Sequence, residues 1–328
     1  MQSQADCRYG MAEQSVWGEA VADAGAVIQL NCKPFHLSHQ GELLRLPGSH
    51  GVRNTIQGDL KVLTPGAMIE FEISGVASKG TLDFFLAGAF QVVTEAAGTP
   101  YEKTFVYQAT QPIFETGNAG YTLTVFERAP TASESWKVKD VIVKKLVLSL
   151  TEHGVLMYTA SCVGRGIPVA STPSGTWTRE TQTTWHADDL ARVIVDFGGG
   201  SQNFKFKGLV WTMENEIIRC GGGSGDFTTY GIASRRWQCD LRVYKDANAP
   251  TAIANWKATT PLTVHVGWEA SAAADKYLDI THYGTLISEP DFSNDKILDV
   301  QLSVEAAGAN ASTTPITVVL CNTFDRGW

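Results

Sequence analysis

Residues 138–163 read VKDVIVKKLVLSLTEHGVLMYTASCV, and this stretch decides the fold class. Its first part, 138–150, is long and β-branched, Gly154 follows it, and an alternation of apolar and polar residues resumes over 155–163. Alternation with period two puts the apolar side chains on one face of a strand, and two such runs around a glycine are typical of an antiparallel hairpin. The stretch therefore predicts a long hairpin with one buried face.

Shorter runs with the same alternation lie on both sides of the hairpin, at 67–73, 121–126 and 262–268. Two segments have helical spacing instead. The first is 78–90, with Ser78 as a possible N-cap, and the second is 250–259, with Pro250 suited to a first helical turn. The sequence therefore predicts a mainly β protein with two short helices.

The two halves of the chain follow one plan. The segment HQGELLR at 39–45 resembles MENEIIR at 213–219, and a glycine-rich loop follows each segment, at 47–51 and 221–225. Each loop then leads to a strand, a short helix, an alternating strand and a hairpin. A repeat of this kind indicates duplication, and its order of elements favours sheets packed on sheets.

This repeat gives the expected domain boundaries. Residues 1–27 are small, polar and rich in alanine and glycine, which indicates an extended N-terminal arm. We expect a first β-sandwich or barrel-like domain at 28–168 and a second at 203–328, each with one short helix. The stretch 164–202 is rich in Gly, Ser, Thr and Pro, so the connector between the domains is placed at 169–202.

Composition excludes several classes of protein. The 328 residues carry a formal net charge of -8, which argues against a basic nucleic-acid-binding surface. The first residues lack the basic and apolar regions of a secretory signal, and no apolar run approaches the roughly 20 residues of a membrane span. The six cysteines include no CxxC pair, so a zinc site is not expected.

No pattern of a catalytic site is present. The chain has no phosphate-binding glycine loop with its required spacing, no GxSxG and no HExxH. His186 with Asp188 and Asp189 is the nearest approach to a metal cluster, and a solvated turn explains it better. We therefore expect no enzyme activity and no catalytic, cofactor-binding or metal-binding residues.

The whole layout resembles the tail tube (major tail) proteins of long-tailed phages, in particular those with two tandem tube domains. The resemblance rests on five segments: Arg8-Tyr9-Gly10, the turn at 15–20, the strand at 59–73 with the helix ending Leu86-Ala87-Gly88, the strand at 121–126 and the hairpin at 138–164. It covers most of the chain. Residues 91–118 look like an insertion in the first half.

The resemblance implies a structural virion protein that polymerises into stacked rings, which form the tail channel for genome delivery into the host. Its main partner would be itself, in homotrimeric pseudo-hexameric rings or alternatively in homohexameric rings. Tape measure and tail terminator or tip proteins would be further partners. Genomic DNA would pass through without specific binding, no membrane would be involved, and the tail would assemble in the host cytoplasm. The connector would raise the effective concentration of the two domains, so the contact inside the chain could be the weaker of two ring contacts.

The resemblance also implies site residues. Acidic residues would line the channel, with Glu70 and Glu72 in the first half and Asp240 in the second as candidates. Contacts between rings or subunits would come from the arm and the glycine-rich loops, with candidates Tyr9, Trp17, Arg45, His50, Arg53, Arg219, Gly222 and Arg235. A β-sandwich module that binds a carbohydrate or another ligand is the alternative function, which an exposed cluster of aromatic side chains would favour.

Overall fold

The structure is a computed structural model. It describes residues 7–326 except for positions 16, 24–26, 38–41, 46–59, 64–67, 99, 108–112, 115–120, 131–134, 173, 180–183, 198–200, 221–228, 245–253, 255, 269–276, 290–298, 308–313 and 325. The described chain is mainly β, as the sequence predicts. None of its described helices is long and apolar enough to cross a membrane.

Twenty strands form in the described residues. They are β1 (Arg8–Gln14), β2 (Ile28–Gln29), β3 (Glu42–Arg45), β4 (Leu60–Leu63), β5 (Met68–Val76), β6 (Val93–Ala96), β7 (Tyr101–Val106), β8 (Ile113–Phe114), β9 (Thr122–Arg128), β10 (Trp136–Thr151), β11 (Met157–Ala170), β12 (Thr178–Arg179), β13 (Leu190–Asp196), β14 (Ser201–Asn203), β15 (Phe206–Cys220), β16 (Thr229–Tyr244), β17 (Leu262–Trp268), β18 (Leu278–Leu286), β19 (Asp299–Ala306) and β20 (Ile316–Asn322).

The long hairpin predicted at 138–163 is confirmed, because β10 and β11 pair in antiparallel fashion from Trp136↔Ala170 to Ser149↔Met157. The register of β10 shifts around the buried residue Asp140, whose φ is +53°. Past this irregularity β10 exchanges one neighbour for another, since residues 136–141 pair with β9 and residues 145–151 pair with β15. Such bulges let one strand serve two sheets of a sandwich.

Helix α1 spans Leu82–Phe90, and all nine of its residues are buried. The sequence predicted a start at Ser78. The structure instead puts Thr81 at the N-cap, and the Leu82 N–H donates to the Ser78 carbonyl over 3.0 Å. The helix ends at Gln91, whose φ of +63° stops the helical run. A helix that is apolar on every side needs core on every side.

The second predicted helix, at 250–259, is present as a short turn in its described part. Ala254, Trp256 and Lys257 are helical, and the Ala258 N–H donates to the Ala254 carbonyl over 3.0 Å. Ala254 and Lys257 are exposed and Trp256 is half-buried. Pro250 lies outside the described residues.

Strand pairing repeats between the halves. In the first half the antiparallel order is β2–β1–β9–β10–β11–β5, and in the second half it is β14–β13–β17–β18–β19–β16. Helix α1 follows β5, as the helical turn at 254–257 follows β16. Two six-strand sets with the same order and the same place for a helix are what a tandem repeat predicts.

This pairing differs from the expected arm and connector. Residues 8–14, assigned to the arm, form β1, which pairs with β9 and buries Tyr9 and Met11 in the main core. Residues 190–196 and 201–202, assigned to the connector, form β13 and most of β14 of the second set. Glycine and alanine in β1 and glycine beside β14 hid these strands, because such residues are typical of loops. The division into two domains stays a prediction.

Candidate wall sheet and assembly surfaces

Six strands form one continuous antiparallel sheet that crosses both halves, in the order β5–β11–β10–β15–β16–β19. We call it the wall sheet. Its halves meet where β10 pairs with β15, from Lys145↔Glu214 to Thr151↔Gly208. We call this pairing the internal seam. Seven matched residue pairs therefore make one sheet out of the two repeats.

One face of the wall sheet packs against the core along its whole width. A single row across five strands shows this, and each of its side chains is at most 1% exposed: Ile73, Ala160, Leu146, Met213 and Trp237. The register keeps the same alternation from strand to strand, including across the internal seam. A shift of one residue in the pairing at the seam would move the buried side chains of one half to the outer face of the sheet.

The opposite face, which we call the outer face, carries charges from both halves, and at one end it also holds a small apolar cluster that includes Ile142 and Val163. Its carboxylates include Glu70, Glu72, Glu214, Glu216, Asp240 and Glu305, and its cations include Lys144, Lys145, Arg236 and Arg242.

Three of these cations lie beside carboxylates. Lys144 Nζ is 3.2 Å from Glu70 Oε2, Lys145 Nζ is 3.9 Å from Glu214 Oε2, and Arg236 Nε is 3.4 Å from Glu305 Oε1. The Lys145–Glu214 pair spans the internal seam. A cation that faces a carboxylate offers less attraction to a passing phosphate, since counterion release needs lysine and arginine that are available to the nucleic acid.

All three predicted channel residues lie on this outer face. Glu70 and Glu72 are exposed on β5, and Asp240 is half-buried on β16, where the Gln238 amide donates to its carboxylate over 3.0 and 3.1 Å. The structure thus brings carboxylates from both halves onto one surface. Whether this surface lines a channel stays a prediction.

A comparison with protein families gives the identity of the fold. The family model described as "Phage tail tube protein" matches residues 4–317, almost the whole chain. The chain belongs to the phage tail tube family. It is therefore a structural component of the virion that assembles with itself into a tube. No curated protein matches the chain.

No group of three His, Cys, Asp or Glu side chains that could hold a metal ion occurs among the described residues. Burial raises the pKa of Cys32 and of Cys162 to about 12, so these thiols stay protonated at neutral pH and are poor nucleophiles. Cys239, like Cys32 and Cys162, is a free thiol.

The predicted contact residues differ in their surroundings. Tyr9 lies in the core, 4% exposed, with its ring 4.3 Å from that of Phe35. Arg235 is half-buried and donates to the Phe90 carbonyl over 3.3 Å. The side chains of Arg45 and Arg219, and the whole of His50, Arg53 and Gly222, lie outside the described part of the chain.

Trp17 has aromatic neighbours from both halves of the chain. Its ring lies 6.2 Å from Phe114 and 5.5 Å from Tyr230, and the Arg165 guanidinium is 5.4 Å from its centre. Phe114 belongs to the first half and Tyr230 to the second. Trp17 therefore packs where the halves of one chain meet. Its prediction as a contact between subunits stays untested.

Sequence reasoning missed the buried charges of the tail tube protein. Lys103 and Asp83 are both fully buried and ion-paired at 3.0 Å, although their positions are 20 residues apart. The one available signal was a charge within the apolar run of α1, because Asp83 follows Leu82 and precedes Phe84. A charge on a helix that is otherwise apolar on every side needs a buried partner.

Proposed function

We propose that three copies of the chain close into a ring around a channel, so that six repeats form the tube wall. The observation that carries this proposal is the wall sheet, which already joins two repeats through the internal seam. The outer face would line the channel. A contact repeated head to tail closes into a ring when its rotation divides the circle.

The two outer edges of the wall sheet support this arrangement. Beside β5 runs the extended segment 33–37, where Phe35 and Leu37 are buried and Lys33 and His36 are exposed. The Lys33 N–H donates to the Ser74 carbonyl over 2.7 Å. Segment 33–37 lies beside β5 in the first repeat in the same way as β15 lies beside β16 in the second repeat. The Cys32↔Gly75 bridge of the first repeat corresponds to the Phe206↔Val243 pair of the second. In the contact between two copies, this segment would take the place that β15 has in the internal seam.

At the other end of the wall sheet lies β19, which pairs with the last residues of β18. Beyond β18 the Ile287 N–H donates to the Ser303 carbonyl over 3.0 Å, and the Ile287 side chain is 43% exposed. In the contact between two copies, this edge would take the place that β10 has in the internal seam. Pairing it with segment 33–37 of a second copy would continue the sheet and cover two exposed strand edges.

DNA would pass through this channel without being held. A lining with Glu70, Glu72 and Asp240 repels the phosphates, and the paired lysines and arginine give them few attractive contacts. Tape measure and tail terminator or tip proteins would be the other partners, and assembly would take place in the host cytoplasm.

The glycine-rich loops after 39–45 and 213–219 would reach the next ring. The long hairpin β15–β16 carries the second of them at 221–228, and the small sheet β3–β4 flanks the first. Replacement of 221–225 by a two-residue turn should weaken stacking and leave the melting temperature unchanged. Loss of folding would mean that the loop belongs to the core.

The mass of an isolated ring tests the number of copies, together with negative-stain microscopy of the purified protein. We expect tubes under the microscope and a ring mass of three chains. A ring of six chains would show that only one half forms the wall and the other half decorates it. Purified protein that builds neither rings nor tubes would contradict the proposal.

A further inference from the structure

The largest difference between the repeats is an insertion in the first half. Residues 91–121 separate α1 from β9 and contain β6, β7 and β8. In the second half only residues 258–261 separate the helical residue Lys257 from β17. We call residues 91–121 the clasp.

The strands of the clasp pair with the second half. Strand β7 runs antiparallel to β20 from Tyr101↔Asn322 to Val106↔Thr317, and β8 pairs with the start of β16. Strand β6 pairs with β7, so the β6–β7 hairpin extends the sheet of the second half. The first half thus supplies the strands that cover the edge of its neighbour.

A buried polar network fixes the base of the clasp. The Lys103 ammonium on β7 donates to Asp83 Oδ2 of α1 over 3.0 Å, to Asn322 Oδ1 of β20 over 2.8 Å and to the Phe324 carbonyl over 2.8 Å. The Asn322 amide donates to Asp83 Oδ2 over 3.0 Å and to the Lys79 carbonyl over 2.8 Å. One cluster therefore joins the helix, the clasp and the second half.

Glu95 adds a second carboxylate to this cluster, because its Oε2 lies 3.6 Å from Lys103 Nζ. The second cation is Arg326. Its Nε lies 3.0 Å from Asp83 Oδ2, and its guanidinium lies 4.1 Å from the centre of the Phe84 ring. Burial by itself would raise the pKa of Asp83, but the charges of Arg326 and Lys103 hold it below its ordinary value. The carboxylate is ionised at neutral pH, and buried charges of this kind demand matched partners.

Aromatic packing adds to the contact above the network. The Phe90 ring at the end of α1 lies 4.5 Å from Trp237 of β16, in an edge-to-face arrangement. The Tyr107 ring, just after β7, meets the same tryptophan at 5.5 Å. The Asn215 amide on β15 donates to the Ala89 carbonyl over 3.0 Å. The junction is thus closely packed by aromatic rings and carries a hydrogen bond between the halves.

We propose that the clasp locks the internal seam and that a second copy joins through a seam that lacks this lock. This inference rests on the proposed function, in which the contact between copies repeats the pairing of β10 with β15. The second half has only four residues where the first half carries the clasp. It therefore has no clasp that could pair with the first half of the next copy. The whole chain is then the unit of assembly, and the seam between copies opens and closes. This order of strength is the reverse of the sequence expectation.

Cutting the chain between its halves tests the lock. The exposed turn at 187–189 is a suitable place, because β12 pairs with β2 and residues 184 and 186 bridge to Ser78 and Val155, so the chain up to there contacts the first half. A protease site inserted between Asp188 and Asp189 of the full-length, unassembled protein gives two pieces. We expect the cut chain to elute as one species and to separate only in urea.

A substitution in the network identifies the clasp as the cause. Asn322→Ala should lower the urea concentration at which the cut chain separates, whereas Lys144→Ala, which removes an exposed ion pair within the first half, should leave it unchanged. Pieces that separate without denaturant would overturn the lock, and so would an Asn322→Ala chain that behaves like the wild type. If the Asn322→Ala chain does not fold, the test rests on whether the two pieces of the cut wild-type chain stay together without denaturant.

The outcome is independent of tube formation. A cut chain that separates, although the intact chain builds three-copy rings, would overturn the clasp and spare the proposed function. A cut chain that stays together, although the intact protein builds no rings, would support the clasp and contradict the proposed function.

Discussion

The two halves of the tail tube protein share one strand order and differ in what surrounds their helix. In the first half α1 is fully buried and the clasp follows it. In the second half the helical turn at 254–257 is mostly exposed and β17 follows after four residues. The difference lies where the halves meet. In the proposed ring, both repeats would use the sheet for assembly, and the helix region would set the strength of one contact.

The largest expected effect comes from the buried charges of the first half. Asp83→Asn removes the carboxylate that faces both Lys103 and Arg326, and the more distant Glu95, 3.6 Å from Lys103, then has to balance two buried cations. We expect a loss of about 3–5 kcal/mol in unfolding free energy, measured by urea denaturation. The matched control is Glu70→Gln, which breaks an exposed pair worth at most about 1 kcal/mol. Similar losses in the two variants would contradict the special role of the network.

The helices allow a direct comparison between the halves. Phe90→Ala empties a site in contact with Trp237 and should cost about 3–4 kcal/mol of unfolding free energy. Trp256→Ala in the half-buried counterpart should cost less than half as much, although tryptophan is the larger side chain. Thermal and urea unfolding of both variants measure the difference. Equal costs would mean that both helices carry core.

Acid should weaken the second half first. His282 on β18 is fully buried and accepts a hydrogen bond from the Trp211 indole over 3.1 Å, and burial lowers its pKa from 6.5 to about 4. Below pH 6.5 the unfolded chain gains a proton there that the folded chain refuses until about pH 4. Stability should therefore fall by about 3 kcal/mol over that window.

Urea titrations between pH 7 and pH 4 measure this slope, and hydrogen exchange shows which half opens. His282→Gln should flatten the slope. The depressed pKa of Asp83 keeps the network of the first half ionised through the same window. Acid opening that begins around α1 would refute this assignment.

The smallest effect on stability is expected on the outer face, where the two halves are alike. Glu72→Lys and Asp240→Lys should each change unfolding free energy by no more than about 0.5 kcal/mol, because neither side chain packs in the core. Both should slow DNA release from assembled tails, in a salt-dependent way, because a new lysine attracts phosphates. A strong effect from one half alone would mean that only that half lines the channel.

The sequence by itself determined the class of the fold and its repetition. The pattern over 138–163 predicted the β10–β11 hairpin, and the helical spacing over 78–90 predicted α1, because periods of two and 3.6 residues are local properties of the chain. The placement of Glu70, Glu72 and Asp240 on strands followed from the same rule. The family resemblance supplied the function, which the family match confirms.

Only the tertiary structure decided which strands are neighbours. Pairing of β10 with β15 and of β7 with β20 joins residues more than 50 and more than 200 positions apart, and no local pattern records such partners. Strand β1 was hidden because its glycine and alanine gain a core only when β9 lies beside them. The burial of Lys103 has no local sign in the sequence, because its partners Asp83 and Asn322 come together only in the folded chain, where a buried charge needs them.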